Sequence, residues 1–197
     1  MNRIPSDAVA KALQISGLVS QEMLERLYEL AQGKHMAVEI GAWKGRSSVA
    51  ISSALADNGR LYCIDPWWDD LYSPDSFDVD DHYGECLDKM TAYHLFRRNI
   101  RQMGVDDRII PLIAASHDID KYFKDGSLDV LFLDGDHAEH MILKDLLKWQ
   151  PKCKPDGVLC GDDYDMAGVQ KAVDAVAKLN RYKVEVSCDG KLWEYRR

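Results

Sequence analysis

From Met36 onward, short apolar or β-branched runs alternate with stretches of helical period. The runs are 37–40, 60–64, 108–113, 128–133 and 157–160, and helical spacing fills 47–56, 86–103, 138–149 and 167–180. Strands that are apolar on both faces and separated by helices suit a parallel sheet covered on two sides, so the expected fold class is α/β. The tail differs. Segments 182–186 and 192–195 alternate in polarity around Asp189-Gly190, a hairpin signal, and predict an antiparallel pair closing one edge of a seven-stranded sheet. Upstream, Leu18, Val19, Met23, Leu24, Leu27, Tyr28, Leu30 and Ala31 recur with helical period until Gly33 breaks the pattern. Residues 1–35 are therefore expected to form a helical extension at the domain edge, as scaffold or dimer surface, and 36–197 a single domain.

Composition narrows the function classes. At 197 residues with 46% hydrophobic content, one domain with a substantial core is expected. The 25 Lys+Arg against 33 Asp+Glu leave a net charge of -8, which argues against a nucleic-acid partner. No apolar stretch is long enough to span a membrane and Met1 to Asp7 lacks a secretory pattern, so a soluble, cytoplasmic protein with no membrane partner is expected. The five cysteines, Cys63, Cys86, Cys153, Cys160 and Cys188, are odd in number and widely spaced, and read as buried thiols in a reducing compartment. One segment stands out: 65–85 holds eight acidic residues, no Lys or Arg, and the aromatics Trp67, Trp68, Tyr72, Phe77 and Tyr83. It follows the second strand, where open α/β sheets place ligands, and reads either as an acidic solvated loop or as a lid over 66–85 with Trp67 and Trp68 as anchors.

The chemistry concentrates at strand ends. Strand one runs into Glu39-Ile40-Gly41-Ala42-Trp43-Lys44-Gly45-Arg46-Ser47-Ser48, where Gly41 and Gly45 permit a tight turn and close approach of a ligand. Trp43 stands where a dinucleotide fingerprint needs its second glycine, and no Gly-Lys-Ser/Thr ending follows, so neither a pyrophosphate cradle nor a nucleotide P-loop is expected. Asp65 ends strand two, suited to accepting ribose hydroxyls. Strand four delivers Asp134-Gly135-Asp136-His137 and strand five Gly161-Asp162-Asp163-Tyr164. Asp134, Asp162 and Asp163 at one edge would repel one another, and a divalent cation is the economical explanation. Oxygen-only ligands favour Mg²⁺, then Mn²⁺ or Ca²⁺. His137 or Asp136 could serve as general base near neutral pH. His140, one turn on, is expected behind the ligands or in solvent, and His35, His82 and His94 as structural or surface residues.

Taken together, VEIGAWKGRSS, LYCID, AASHDI, DVLFLDGDH and GVLCGDDYDMAGVQKAV resemble the class I S-adenosylmethionine-dependent methyltransferases. Within them they are similar to the metal-dependent small-molecule O-methyltransferases related to catechol, macrocin and aminocoumarin-sugar enzymes. The resemblance covers about 36–195 and implies a Rossmann-like, doubly wound sheet with helices on both faces. It implies S-adenosylmethionine held by Glu39, Gly41 and Gly45 at its methionine part, with Asp134 adjoining, by Asp65 at its ribose and by Ser116 and His117 at its adenine. It also implies Mg²⁺ on Asp134, Asp162 and Asp163, a small hydroxylated acceptor shaped by Trp67 and Trp68, and a homodimer or higher homo-oligomer. His117 stands where catechol enzymes have glutamine, Ala114 where they have glycine, and many relatives replace one member of the Asp162-Asp163 pair. Three other readings stay open: a metal-dependent hydrolase on the same carboxylates, an antibiotic-pathway hydroxylase-like protein, and a ligand-binding module without catalysis.

Overall fold

The computed structural model describes residues 6–67 and 91–196. Helices α1 (Asp7–Ala12) and α2 (Gln21–Ala31) precede strand β1 (Met36–Ile40). There follow α3 (Arg46–Ala54), β2 (Arg60–Asp65), α4 (Thr91–Gln102), β3 (Ile109–Ile113), α5 (Ser116–Ile119), β4 (Leu128–Leu133) and α6 (Glu139–Trp149). Strand β5 (Cys153–Gly161), α7 (Ala167–Asn180), β6 (Lys183–Ser187) and β7 (Leu192–Arg196) complete the fold. One sheet has the order β3-β2-β1-β4-β5-β7-β6. Strands β1 to β5 pair in parallel and β7 runs antiparallel to both β5 and β6. The expected α/β class, seven strands and edge hairpin all match.

Side-chain alternation divides the core. Ala37, Leu61, Cys63, Val130 and Phe132 face α1 to α4, whereas Val38, Ile40, Ile64, Leu131 and Leu133 face α6 and α7. On the first side Met23, Leu24 and Leu27 of α2 meet Val49 and Ile51 of α3 and Phe96 and Ile100 of α4. Each such side chain removed from water contributes about 1.5–3 kcal/mol. The α2 face expected at an edge or dimer surface is thus covered within the chain. Side-chain oxygens of Ser6 and Ser20 accept from Val9 and Met23 N–H and start α1 and α2. Helix α1 lies within the expected helical extension, although its six residues are too few to show periodicity, and α5 has no sequence signal.

Strand β5 begins at Cys153, four positions before the expected run, and passes through Pro155 and Gly157. Its pairing with β4 shifts register between Leu128 and Val130, which accommodates residues of poor strand propensity. The open edge at β3 is blunted. Leu61 N donates to Arg108 O and Ala114 N to Asp65 O, so even-numbered residues of β3 face β2 and odd-numbered ones face outward. Pro111 occupies the middle outward position and has no N–H to offer a further strand.

Of the expected helices, 86–103 is described from Thr91 onward, and the segment beyond Trp67, with Trp68, His82 and Cys86, lies outside the described residues. Cys63, Cys153, Cys160 and Cys188 are buried free thiols. Among the described residues, no helix is long and apolar enough to cross a membrane.

A long-range ion pair fastens α2 to the hairpin. Arg26 Nε and Nη2 donate to the two oxygens of Glu194 at 2.8 and 3.0 Å, and Glu194 is only 4% exposed. Arg196 lies 3.3 Å from the same carboxylate. Arg26→Met is expected to lower unfolding stability by about 1–3 kcal/mol, less than removal of a sole partner because Arg196 stays. A urea midpoint that falls at unchanged m-value checks this, and an unmoved midpoint contradicts it.

Candidate functional site

The site begins where β1 and β4 leave the sheet together. Gly41 N donates to Ile64 O, and Asp134 N donates to Ile40 O at 2.8 Å. Gly41 has φ 87°, and a Cβ there would lie 1.8 Å from the carbonyl oxygen of Asp134. No other residue fits. Gly45 also has φ 87°, where it opens α3, but its Cβ would meet the Phe96 ring at 3.0 Å. It is buried, with its Cα turned toward Phe96 and Ile100 of α4.

Glu39 lies below this turn. Strand alternation turns it toward α3, where it is 0% exposed. One oxygen accepts from Ser47 Oγ at 2.5 Å and the other from Ser48 Oγ and from Cys63 Sγ at 3.3 Å. Burial pushes its carboxyl above the usual range, while those donors pull it back. It anchors the turn to α3 from below and does not line the crevice.

Asp65 ends β2 beside that turn, 1% exposed. Its two oxygens accept from Trp43 N at 2.8 Å and Trp67 N at 2.7 Å. Both tryptophans have left-handed backbones, with φ 41° and 46°, which bulky residues seldom adopt. The carboxylate holds both conformations. Trp67 is 3% exposed, donates from Nε1 to Trp43 O at 2.8 Å, and packs on Tyr93 and Phe96 with ring centroids 5.0 Å away. Expected as a lid anchor on the acceptor, Trp67 places its side chain in the core.

Ser116 and His117 start α5, just past β3. Ser116 Oγ donates to Asp145 Oδ1 at 2.5 Å. His117 Nδ1 is buried without a hydrogen-bond partner, and Lys148 Nζ fixes the residue's backbone by donating to its carbonyl at 2.8 Å. Asp145 was missed in the sequence. It is a buried acid on the apolar face of α6, whose other members are Ile142, Leu146 and Trp149, and burial raises its pKa. An acid in phase with that apolar stripe was the available signal.

The carboxyl ends of β4 and β5 bring Asp134, His137 and Asp163 together, with one donor atom of each lying within 4.8 Å of the others. His137 Nε2 lies 2.7 Å from Asp163 Oδ2, and that bond raises the imidazole's pKa. Burial, and then the charges of Asp162 and Asp163, raise Asp134 well above the ordinary carboxylate value. Asp162 is pushed up to about 6, by burial and then by Asp163. The expected trio is therefore rearranged: Asp162 stays close electrostatically, but its Oδ1 accepts from Asp163 N at 2.6 Å, and His137 takes its place in the cluster. Asp163 has φ 59°, so this local bond supports a left-handed residue at the site. Asp136 Oδ1 accepts from Ala138 N at 2.8 Å ahead of α6, and both Asp136 and His140 are exposed. Closely set carboxylates beside an imidazole can hold a cation, and in its absence they can take or give a proton.

Comparison with known proteins gives a family. Residues 38–164 match the model of a family described as methyltransferase domain. Among solved structures, an O-methyltransferase from Bacillus cereus in complex with SAH is 18% identical, with TM-score 0.68 over 98% of this chain and 93% of that one. The O-methyltransferase TomG from Streptomyces achromogenes, in complex with SAM, is 18% identical, with TM-score 0.66 over 96% and 89%. A precorrin 8W decarboxylase from Methanobacterium thermoautotrophicum is 17% identical, with TM-score 0.64 over 99% and 100%. No curated protein matches the sequence.

Glu39 gives a pH-dependent expectation. A carboxyl whose folded pKa exceeds its unfolded value binds its proton more tightly when folded, so its contribution falls as pH rises from about 4.3 through the folded value. Glu39→Gln has no proton to lose. Its stability relative to the parent is expected to improve across that window, by at most about 1.4 kcal/mol per pH unit, then level off. Urea unfolding of both proteins from about pH 4 to about pH 8 checks this, and a pH-independent difference contradicts it.

Proposed function

The chain belongs to the methyltransferase-domain family, and from that premise we propose that it transfers a methyl group from S-adenosylmethionine to a hydroxyl of a small molecule. The acceptor class is a sugar or catechol-like diol chelated to Mg²⁺ or another divalent cation. The observation that carries this reading is the convergence of Asp134, His137 and Asp163 beside the Gly41 turn.

The residues present fit the cofactor. His117 Nδ1 is buried and lacks a partner, a need that an adenine nitrogen would meet. The Asp65 carboxylate, which accepts from Trp43 and Trp67 N–H at the end of β2, is the group to which a ribose hydroxyl would donate. A divalent cation also fits, since it would relieve the repulsion that raises Asp134 and Asp162.

When bound, the cofactor supplies an electrophilic sulfonium methyl, and the cation lowers the pKa of the hydroxyl it holds. Asp134 and Asp163 would hold the cation, with Asp162 orienting Asp163 from behind. His137 or Asp136 removes the acceptor's proton. Asp65 and the Gly41 turn fix the donor end, so the chain contributes mainly orientation and electrostatics. The acidic crevice disfavours a strongly anionic acceptor.

Transfer of labelled methyl from S-adenosylmethionine to a panel of catechols and sugar diols, with Mg²⁺ or Mn²⁺, tests the proposal. Transfer to at least one diol is expected, with a loss of about 100-fold or more in Asp134→Ala. The same variant should unfold no more easily than the metal-free parent, because it removes a repulsive charge. No transfer to any diol, or full activity in the variant, overturns the reading.

A further inference from the structure

The strand-end carboxylates read from the sequence make an oxygen-only site, but the donors that converge are two carboxylates and an imidazole. Asp134, His137 and Asp163 offer atoms within 4.8 Å of one another. Ligand atoms about 2.1 Å from a first-row cation stand about 3–4 Å from one another, so little closing is needed. His137 Nε2 and Asp163 Oδ2, hydrogen-bonded at 2.7 Å, reach the spacing of neighbouring ligands by parting a few tenths of an ångström as Nε2 gives up its proton. Asp162 is committed to Asp163 N and acts behind the cluster.

We propose that His137 binds the cation directly through Nε2, and that the site selects a first-row transition cation such as Mn²⁺, Fe²⁺, Co²⁺ or Zn²⁺ over Mg²⁺. Imidazole nitrogen strengthens binding along that series, whereas Mg²⁺ prefers oxygen and gives up its water reluctantly. The backbone supports the arrangement from both strands. His137 follows Asp134 by three residues on a short link into α6, whose first turn is preceded by the Asp136 to Ala138 hydrogen bond. Asp163 is aimed by its left-handed backbone and by Asp162. This deepens the methyltransferase reading and rests on it only for the use of the ion: with its Nε2 on the cation, His137 cannot be the base, and Asp136 takes the acceptor's proton.

The test is metal binding by the full chain after stripping. Co²⁺ titration, followed by its visible d–d absorption, is expected to show one tight site, and a large excess of Mg²⁺ is expected to leave it bound. His137→Gln should weaken Co²⁺ by about 10-fold or more and change the spectrum while moving Mg²⁺ affinity by less than about 3-fold. His140→Gln, an exposed control, should match the parent. An unchanged Co²⁺ affinity and spectrum in His137→Gln would put the imidazole outside the ligand set, as a base, and overturn the proposal. So would equal displacement by Mg²⁺, or Co²⁺ binding that survives Asp134→Ala, which would locate the ion elsewhere. Calorimetry with S-adenosylhomocysteine on the same samples separates the two questions: loss of that binding with Co²⁺ selectivity intact removes the methyltransferase reading and leaves the metal assignment standing.

Discussion

Everything at the sheet's carboxyl edge depends on one close approach, the carbonyl of Asp134 passing over the bare Cα of Gly41. A side chain there would sit inside the carbonyl, at 1.8 Å. The contact lets β1 and β4 leave the sheet side by side, each bonded to a neighbour, with Asp134 N on Ile40 O and Gly41 N on Ile64 O. Asp134 is thereby delivered next to the turn that leads into α3, and β5, in register with β4 up to Gly161, delivers Asp162 and Asp163 beside it. A methyl group at Gly41 would part the strands that carry the cluster.

Five acids gather at this edge, and their partners distinguish their tasks. Glu39 is buried and saturated by Ser47, Ser48 and Cys63, and Asp65 holds two strained tryptophan backbones. Both brace the turn that follows β1. Asp134, Asp162 and Asp163 face one another with too few donors, which raises Asp134 and Asp162. A protein holds such a cluster at a cost in stability, and the cost is explained by a bound cation or a transferred proton. The fold alone does not name the reaction, since an O-methyltransferase and a decarboxylase share it with this chain.

The architecture was legible because buried parallel strands announce themselves as unbroken apolar runs and because Asp189-Gly190 marks the hairpin. The strand ends carrying Asp65, Asp134 and Asp162-Asp163 were legible for the same reason. Finer detail is hidden from the sequence where direction matters more than position. Glu39 sits two residues from Gly41, but the period of two along β1 sends it under α3. Gly45, with φ 87°, lies against Phe96, 51 residues away in sequence. Trp67 resembles a loop aromatic, yet it fills a core pocket that α4 completes. The replacement of Asp162 by His137 in the cluster follows from a single local bond, Asp163 N to Asp162 Oδ1, which no spacing rule reveals.

The most direct measurement of the central claim is isothermal calorimetry of the purified chain with S-adenosylhomocysteine at two temperatures. One site per chain with micromolar affinity is expected, with a heat of binding at one temperature or both. Absence of heat at both temperatures from folded protein would contradict it, and would leave the carboxylate and histidine cluster as a metal site without a methyl donor beside it.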